Sequence, residues 1–217
     1  MEGIIEKFKK LSTCNISDAL DKLKLKSGII GIRPAYDCKK IVGFAVTIKV
    51  TAAGETKSKS HLGVDAIDIA GKNDVLVVDN GGRKDVSCWG EILSNAAKLK
   101  GIEGIVIDGA FRDLDVIKKI GFPVYARSVV PITARGRIMQ ESVNSLIQCG
   151  GVQVRSKDLV IADENGVVIV PKERIDEVYK IAIEFYKKEN KMIEELKKGR
   201  SITDVDKEYK YEKMMED

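Results

Sequence analysis

The chain has 217 residues, of which 44% are hydrophobic and 32% are charged, a composition typical of one soluble globular domain. Its 37 basic and 33 acidic residues are interleaved and leave a net charge of only +4, so we expect no nucleic-acid partner. No apolar run approaches the ~20 residues of a membrane span, which predicts a protein without a membrane partner.

The cysteine and histidine content limits which metal sites and nucleophilic mechanisms are expected. The four cysteines lie far apart without a CxxC pair, and no secretory signal is evident, which favours reduced thiols in a cytoplasmic protein. His61 is the single histidine, so a zinc site is not expected. A Ser-His-Asp or Cys-His mechanism would depend on that same residue, and nothing near it in the sequence would orient it.

The N-terminal two thirds of the chain alternate between helical and strand patterns. Apolar residues at helical spacing predict helices at 2–25 (two short ones, with Ser12 or Thr13 as a possible cap), 64–70, 89–99 and 113–120. β-Branched or continuously apolar runs predict strands at 41–51, 74–79, 104–108 and 124–126. Asn80-Gly81-Gly82 is predicted to be a loop. Apolar strands alternating with helices are typical of a parallel sheet, so the predicted fold class is α/β.

The last third of the chain has a different pattern. From 139 to 170, β segments alternate with turns, and Asn165-Gly166 between two apolar runs predicts a hairpin. Pro171 is expected to open a long C-terminal helix, since proline suits the first helical position. Residues 201–217 form a polar tail for which we expect partial disorder. Residues 1–200 are therefore predicted to form a single domain.

The long C-terminal helix carries a seam of heptad type. Its members are spaced alternately by three and four residues: Ile175, Val178, Ala182, Phe185, Glu189, Met192 and Leu196. A glutamate in the middle of an apolar seam has two interpretations. Glu189 either reaches solvent where the seam frays, or points into a site on a neighbouring subunit.

Glu91 follows Cys88-Trp89-Gly90 at the start of a predicted helix. The backbone amides of Glu91, Ile92 and Leu93 would face the preceding loop and suit a carboxylate ligand. Gly90 would let a ligand approach the backbone closely. A glutamate in the first turn of a helix is also favourable for the helix dipole alone, so Glu91 by itself does not define a site.

Arg112 and Asp113 directly follow the buried strand at 104–108 and its Gly109-Ala110-Phe111 extension. Each has an ordinary interpretation, Asp113 as a helix N-cap and Arg112 as a surface charge. Together they suggest a site in which arginine binds a carboxylate or enolate oxygen and aspartate binds Mg²⁺ directly or through water. Mg²⁺ takes one or two protein carboxylates and keeps several waters, so this sparse set would suffice.

Several segments, in this order, resemble the RraA-like family. They are 13–20 (TCNISDAL), 42–47 (VGFAVT), 74–79 (DVLVVD), 89–93 (WGEIL), 104–113 (GIVIDGAFRD), 122–124 (FPV) and 162–171 (ADENGVVIVP). The resemblance covers roughly residues 10–200, so the predicted domain is an RraA-like domain. It implies a swivelling-type β/β/α fold with a long C-terminal helix, assembled as a homotrimer or a dimer of trimers.

The family includes divalent-metal-dependent aldolases for 4-hydroxy-4-methyl-2-oxoglutarate and 4-carboxy-4-hydroxy-2-oxoadipate. These carry an acid, twenty intervening residues and then Arg-Asp, which matches Glu91 and Arg112–Asp113 here. The acid is often aspartate in those aldolases, so Glu91 is a departure. The resemblance implies that Arg112 contacts the keto or enolate oxygen and that Asp113 holds Mg²⁺ or Mn²⁺.

Two further parts of the site follow from the same resemblance. The amides after Gly90, those of Ile92 and Leu93, would receive the carboxylate of the pyruvoyl group. Family aldolases also borrow a glutamate from the C-terminal helix of an adjacent subunit, and Glu189 matches it by position.

The expected function is that of a class II pyruvate aldolase, a carbon–carbon lyase acting on a small 2-oxo acid. It would cleave a 4-hydroxy-2-oxo acid to pyruvate through an enolate, with Glu91 and Glu189 positioning the base. Oxaloacetate decarboxylation passes through the same enolate and is an expected second activity. The alternative is a non-catalytic regulator, because one branch of the family binds and inhibits an RNA-degrading ribonuclease. Members of that branch can lack the Arg-Asp pair, which this chain keeps.

Overall fold

A parallel four-stranded sheet lies at the centre of the computed structural model, which describes residues 2–26, 28–58 and 60–215. Its strands, in spatial order, are β5 (Val124–Val129), β4 (Gly104–Phe111), β3 (Asp74–Ser87) and β2 (Ile41–Ala52). Antiparallel strands extend both ends of the sheet: β1 (Arg33–Pro34) beside β5, and β9 (Leu159–Asp163) with β10 (Gly166–Val170) beside β2. The predicted α/β class is confirmed.

The remaining strands lie off this path. β6 (Ile138–Val143) pairs with the second half of β2, and β7 (Ile147–Cys149) pairs with β8 (Val152–Val154) in a small separate sheet. The hairpin predicted at Asn165-Gly166 is confirmed as the turn between β9 and β10.

The helices are α1 (Glu2–Lys9), α2 (Thr13–Lys22), α3 (Val64–Ile69), α4 (Glu91–Leu99), α5 (Leu114–Ile120), α6 (Ile175–Lys197) and α7 (Ile202–Tyr209). Among the described residues, no helix combines the length and the apolar composition needed to cross a membrane. Ser12 caps α2 as predicted, because its hydroxyl accepts a hydrogen bond from the Asn15 amide at 3.1 Å.

Apolar side chains cover both faces of the central sheet, which explains its continuous apolar strands. All eight residues of β4 are buried. Ile105 and Ile107 join the core beneath α3, α4 and α5, whereas Val106 faces the core formed with β7 and β8. A third core packs α1, α2 and α6 against β9 and β10. The seam of α6 is part of it, since Ile175, Val178 and Ala182 are buried there.

The predicted loop at Asn80-Gly81-Gly82 is wrong, because β3 continues to Ser87. Asp79 pairs with Asp108 of β4 and Arg83 pairs with Gly109, so the three residues between them form a bulge in a continuing strand. Gly81 and Gly82 have φ of 62° and 72°, a backbone conformation that favours glycine.

Within the tail for which partial disorder is expected, residues 202–209 form α7. Ser201 caps this helix by accepting a hydrogen bond from the Asp204 amide at 3.1 Å. Val205 is fully buried, and Arg200 pairs with Glu208 at 2.6 Å. One buried valine with a good N-cap is a weak sequence signal, since the other positions of this helix are mostly polar. The last two residues of the predicted tail lie outside the described part of the chain.

Docking of α7 is testable with two substitutions on the same helix. Val205→Ala removes two buried methyl groups and should lower the free energy of unfolding by about 2 kcal/mol. Ile202 is 61% exposed, and Ile202→Ala should cost less than about 0.5 kcal/mol. Urea denaturation followed by circular dichroism measures both values. Equal, small losses for the two variants would show that α7 does not pack on the domain.

Candidate active site

A cleft of about 500 Å³ lies where β3 and β4 end and α4 and α5 begin. Six residues predicted from the sequence line it together: Gly90, Glu91, Ile92, Leu93, Arg112 and Asp113. They meet because β3 and β4 are parallel neighbours, so the segments that leave these strands emerge at the same edge of the sheet.

Backbone hydrogen bonds hold these two segments side by side. The Cys88 amide donates to the Ala110 carbonyl at 2.9 Å, and the Arg112 amide donates to the Trp89 carbonyl at 3.0 Å. The Trp89 ring is buried, and its Nε1 donates to Ser94 Oγ at 2.8 Å. The buried Trp89 ring therefore forms a fixed part of the cleft wall.

Asp113 connects the two helix starts. Its Oδ2 accepts a hydrogen bond from the Glu91 amide at 3.0 Å and lies 3.4 Å from Arg112 Nε. Asp113 occupies the N-cap position of α5 but makes no side-chain cap there. The N-cap interpretation is thus wrong for its own helix, because the carboxylate caps the first amide of α4 instead. The backbone of Asp113 is left-handed, with φ 63° and ψ 36°, at a cost on the order of 1 kcal/mol.

Gly90 is required by the space around Asp113. A Cβ at Gly90 would lie 2.6 Å from Asp113 Oδ2 and 3.3 Å from Arg112 Cγ. Its φ of −164° is open to any residue, so the constraint is steric and not conformational. Gly90 therefore makes room for the protein's own carboxylate, and not only for a ligand as its sequence position suggested.

The predicted anion site at the start of α4 has two backbone amides for a ligand instead of the three that the sequence suggested. Asp113 already uses the Glu91 amide, which leaves those of Ile92 and Leu93. Gly90 has no side chain to cap them, and the first amides of a helix have no acceptor within it. Both residues line the cleft, so their amides suit a carboxylate ligand.

The acidic residues fit a largely hydrated hard cation. Within the described part of the chain, no three His, Cys, Asp or Glu side chains are grouped to hold a metal. Glu91 and Asp113 line one cleft, and the Asp113 side chain is 34% exposed. Two carboxylate ligands match what Mg²⁺ takes from proteins, since it keeps most of its waters.

Glu189 does not line the cleft of its own chain. It lies on α6, where its Oε2 accepts a hydrogen bond from Asn15 Nδ2 at 2.7 Å. Asn15 is buried, and its Oδ1 accepts from the Ser12 hydroxyl at 2.9 Å, which fixes the direction of the amide. Partial burial and the nearby Glu189 charge raise the pKa of Asp18. The carboxylate of Glu189 is therefore held in place by α2.

Other residues line the cleft without any signal in the sequence, among them His61, Thr133 and Arg135. His61 precedes α3, and the other two lie between β5 and β6. Both segments are irregular, so no periodicity indicates where they fold. Hydrogen bonds such as that from Ser87 Oγ to the Ile132 carbonyl at 2.6 Å, together with packing of Ala134 against the core, bring residues 130–135 to the cleft.

Comparison with known proteins identifies the family of this chain. The family model for RraA-like proteins, described as Aldolase/RraA, matches residues 13–169. Protein DlpA of Legionella pneumophila is 28% identical over 98% of this chain, although the chain spans only 34% of the length of DlpA. A protein of Halalkalibacterium halodurans named "Putative 4-hydroxy-4-methyl-2-oxoglutarate aldolase" is 32% identical, over 92% of this chain and 89% of its own.

A solved structure shares the fold. Streptomyces coelicolor RraAS2, described as an unusual member of the RNase ES inhibitor RraA protein family, superposes with a TM-score of 0.80 at 24% identity. The match covers 92% of this chain and 98% of that one. Since the family model also spans most of the sequence, this chain belongs to the RraA-like family.

Proposed function

We propose that this protein is a divalent-metal-dependent lyase that cleaves a 4-hydroxy-2-oxo acid, of the 4-hydroxy-4-methyl-2-oxoglutarate type, to pyruvate. The observation that carries the proposal is the contact of Arg112 and Asp113 with the start of α4. One cleft thereby combines a guanidinium, two carboxylates and two uncapped amides. The name given to the Halalkalibacterium halodurans relative supports this choice of reaction.

The 2-oxo acid end of the substrate binds at the helix start. Its carboxylate accepts hydrogen bonds from the amides of Ile92 and Leu93, where the positive end of the α4 dipole favours an anion. Its keto oxygen then lies toward Arg112, because Arg112 is held beside the same helix start through Asp113.

Glu91 and Asp113 would hold Mg²⁺ or Mn²⁺. When bound, the cation supplies Lewis acidity toward the 2-oxo group. Arg112 adds a fixed positive charge where negative charge develops on the keto oxygen. Its Nε lies 3.4 Å from Asp113 Oδ2, and its side chain is 39% exposed, so the guanidinium is oriented and still open to a ligand.

The proposed reaction removes one proton from the C4 hydroxyl of the substrate and returns one proton to C3 of the product. A water positioned by Glu91 takes the proton of the C4 hydroxyl and passes a proton to the Glu91 carboxylate, and C4 becomes a carbonyl as the C3–C4 bond breaks. The electron pair of that bond passes to the pyruvate enolate, whose oxygen faces Arg112. Protonation at C3 gives pyruvate. Oxaloacetate would lose CO₂ to give the same enolate, so decarboxylation is proposed as a second activity.

A second copy of the chain is proposed to complete the site, in a homotrimer or a dimer of trimers. Glu189 is held by Asn15 outside its own cleft, so its proposed role as a second acid–base group lies in a neighbouring cleft. On α4, Ile92 lines the cleft and is 80% exposed, and Leu99 at the other end of the helix is 89% exposed. These apolar side chains suit coverage by another protein surface.

Metal dependence and the Arg-Asp pair are tested together. Purified protein is given 4-hydroxy-4-methyl-2-oxoglutarate or oxaloacetate, and pyruvate release is followed with Mg²⁺ or EDTA. Arg112→Ala and Asp113→Ala should each lower kcat/KM by about 100-fold or more, because each removes a charge acting at the reacting centre. Lys118→Ala, which removes an exposed cation of α5, is the control and should be neutral. Pyruvate release that survives in the two variants, or no release from either substrate, would contradict the lyase and favour the ribonuclease regulator.

The steric role of Gly90 gives an independent prediction. In Gly90→Ala the new Cβ displaces the Asp113 carboxylate, and a shift of about 1 Å at a reacting centre costs about 100-fold in rate. The Mg²⁺ concentration for half-maximal activity should also rise. Gly71→Ala is the matched control, because a Cβ at Gly71 meets nothing within 4 Å. Equal activity of Gly90→Ala and wild type would show that the position of Asp113 is not critical.

Complementation between subunits tests the role of Glu189. Glu189→Gln and Arg112→Ala are each expected to be nearly inactive alone. If Glu189 acts in a neighbouring cleft, unfolding and refolding the two variants together should restore activity, since some clefts then combine an intact Arg112 with an intact Glu189. Each variant refolded alone is the control. Mixtures no more active than the separate variants would place any role of Glu189 within its own chain.

A further inference from the structure

We propose that Arg135 binds the second carboxylate of a dicarboxylic 2-oxo acid, and so selects diacids over monoacids. This inference rests on the proposed function and deepens it, because it assigns the end of the substrate that the Ile92 and Leu93 amides leave unbound. It comes from the part of the cleft wall formed by residues 133–135, which the reaction as described above does not use.

The backbone around Arg135 is held on both sides. Before it, the Ser87 amide and hydroxyl both donate to the Ile132 carbonyl, at 2.9 Å and 2.6 Å. After it, the amide of the buried Ile138 donates to the Ala134 carbonyl at 3.0 Å. Ser87 lines the same cleft. Arg135 therefore sits on a turn fixed to the cleft wall, and its side chain is presented from a defined position.

The guanidinium of Arg135 lacks an acidic partner within the described part of the chain. Several other arginines are paired with acids, for example Arg83 with Asp85 at 2.8 Å, and Arg200 with both Glu195 and Glu208. Guanidinium groups bind carboxylates through two parallel hydrogen bonds. An exposed and unpaired arginine in a cleft that binds organic acids therefore has its donors free for a substrate carboxylate.

The charge of the cleft favours a dianion. The carboxylates of Glu91 and Asp113 balance the guanidinium groups of Arg112 and Arg135 when His61 is counted as neutral. A divalent cation then leaves an excess of about two positive charges, which the two carboxylates of a dicarboxylic 2-oxo acid would neutralise. A monocarboxylic 2-oxo acid would leave Arg135 without an anion.

Binding at both ends also positions the bond to be broken. The first carboxylate lies on the amides of α4 and the second on Arg135, so the C3–C4 bond between them is held across the cleft. Fixing a substrate at two points restricts it to the reactive arrangement. Arg135 is thus proposed as a residue that determines specificity, while Arg112 acts at the reacting oxygen.

Two ligands that differ only in the distal carboxylate test the inference. 2-Oxoglutarate has this group and 2-oxopentanoate lacks it, and neither carries the C4 hydroxyl needed for cleavage. The chain has one tryptophan, Trp89, and it lines the cleft, so its fluorescence reports ligand binding. Titrations are made with Mg²⁺ on wild type, Arg135→Ala, Arg135→Gln, Arg135→Lys and the control Lys118→Ala.

Wild type should bind 2-oxoglutarate at least about tenfold more tightly than 2-oxopentanoate, as expected for one charge-assisted hydrogen-bonded pair. Arg135→Ala and Arg135→Gln should abolish this preference and leave 2-oxopentanoate binding unchanged, and Arg135→Lys should keep part of it. Equal binding of both ligands by wild type, a parallel loss for both ligands in the variants, or the same loss in Lys118→Ala would overturn the assignment.

The result separates this inference from the lyase proposal. If wild type releases pyruvate but shows no preference for 2-oxoglutarate that depends on Arg135, the subsite proposal is refuted and the lyase proposal stands. If the preference depends on Arg135 but no pyruvate is released, the subsite proposal stands and the lyase proposal is refuted.

Discussion

The hydrogen bond from the Glu91 amide to Asp113 Oδ2 is the contact on which the candidate site depends. It joins two helix starts that come from different strands. Asp113 makes this contact from a left-handed backbone conformation. Gly90 leaves room for it, because a Cβ at Gly90 would lie 2.6 Å from the same oxygen. The left-handed backbone of Asp113 is a local cost of the kind found at functional sites.

The bulge in β3 sets the level at which these helix starts meet. Asp79 pairs with Asp108 and Ser87 pairs with Ala110, so eight steps along β3 correspond to two steps along β4. The bulge takes up the six extra residues, so Cys88 and Trp89 lie beside Ala110 and Arg112. Without the bulge, eight residues of regular strand would carry Ser87 well past the level of Arg112. Gly81 and Gly82 of the bulge therefore affect the position of the site, although they do not line the cleft.

Much of this arrangement could be predicted from the sequence, and the reasons differ by element. Strands β2, β3 and β4 and the start of α4 follow from apolar patterning, and a parallel sheet brings Glu91 and Arg112–Asp113 to one edge. The contact between Glu91 and Asp113 could not be predicted, because it depends on a backbone conformation that aspartate adopts only occasionally. His61 and Arg135 lie on irregular segments that are held by scattered hydrogen bonds, and such bonds leave no periodic pattern in the sequence.

The open side of the cleft gives the proposed neighbouring subunit a role in the proposed chemistry. Charge–charge interactions weaken in water, so Arg112 would stabilise an enolate strongly only if solvent were excluded. The single chain leaves Ile92 exposed at the rim and keeps Glu189 elsewhere, oriented by Asn15. One surface that covers Ile92 and delivers a glutamate would exclude water and supply an acid–base group at once. Because Asn15 has already fixed the direction of Glu189, little ordering would remain to be done when the copies associate.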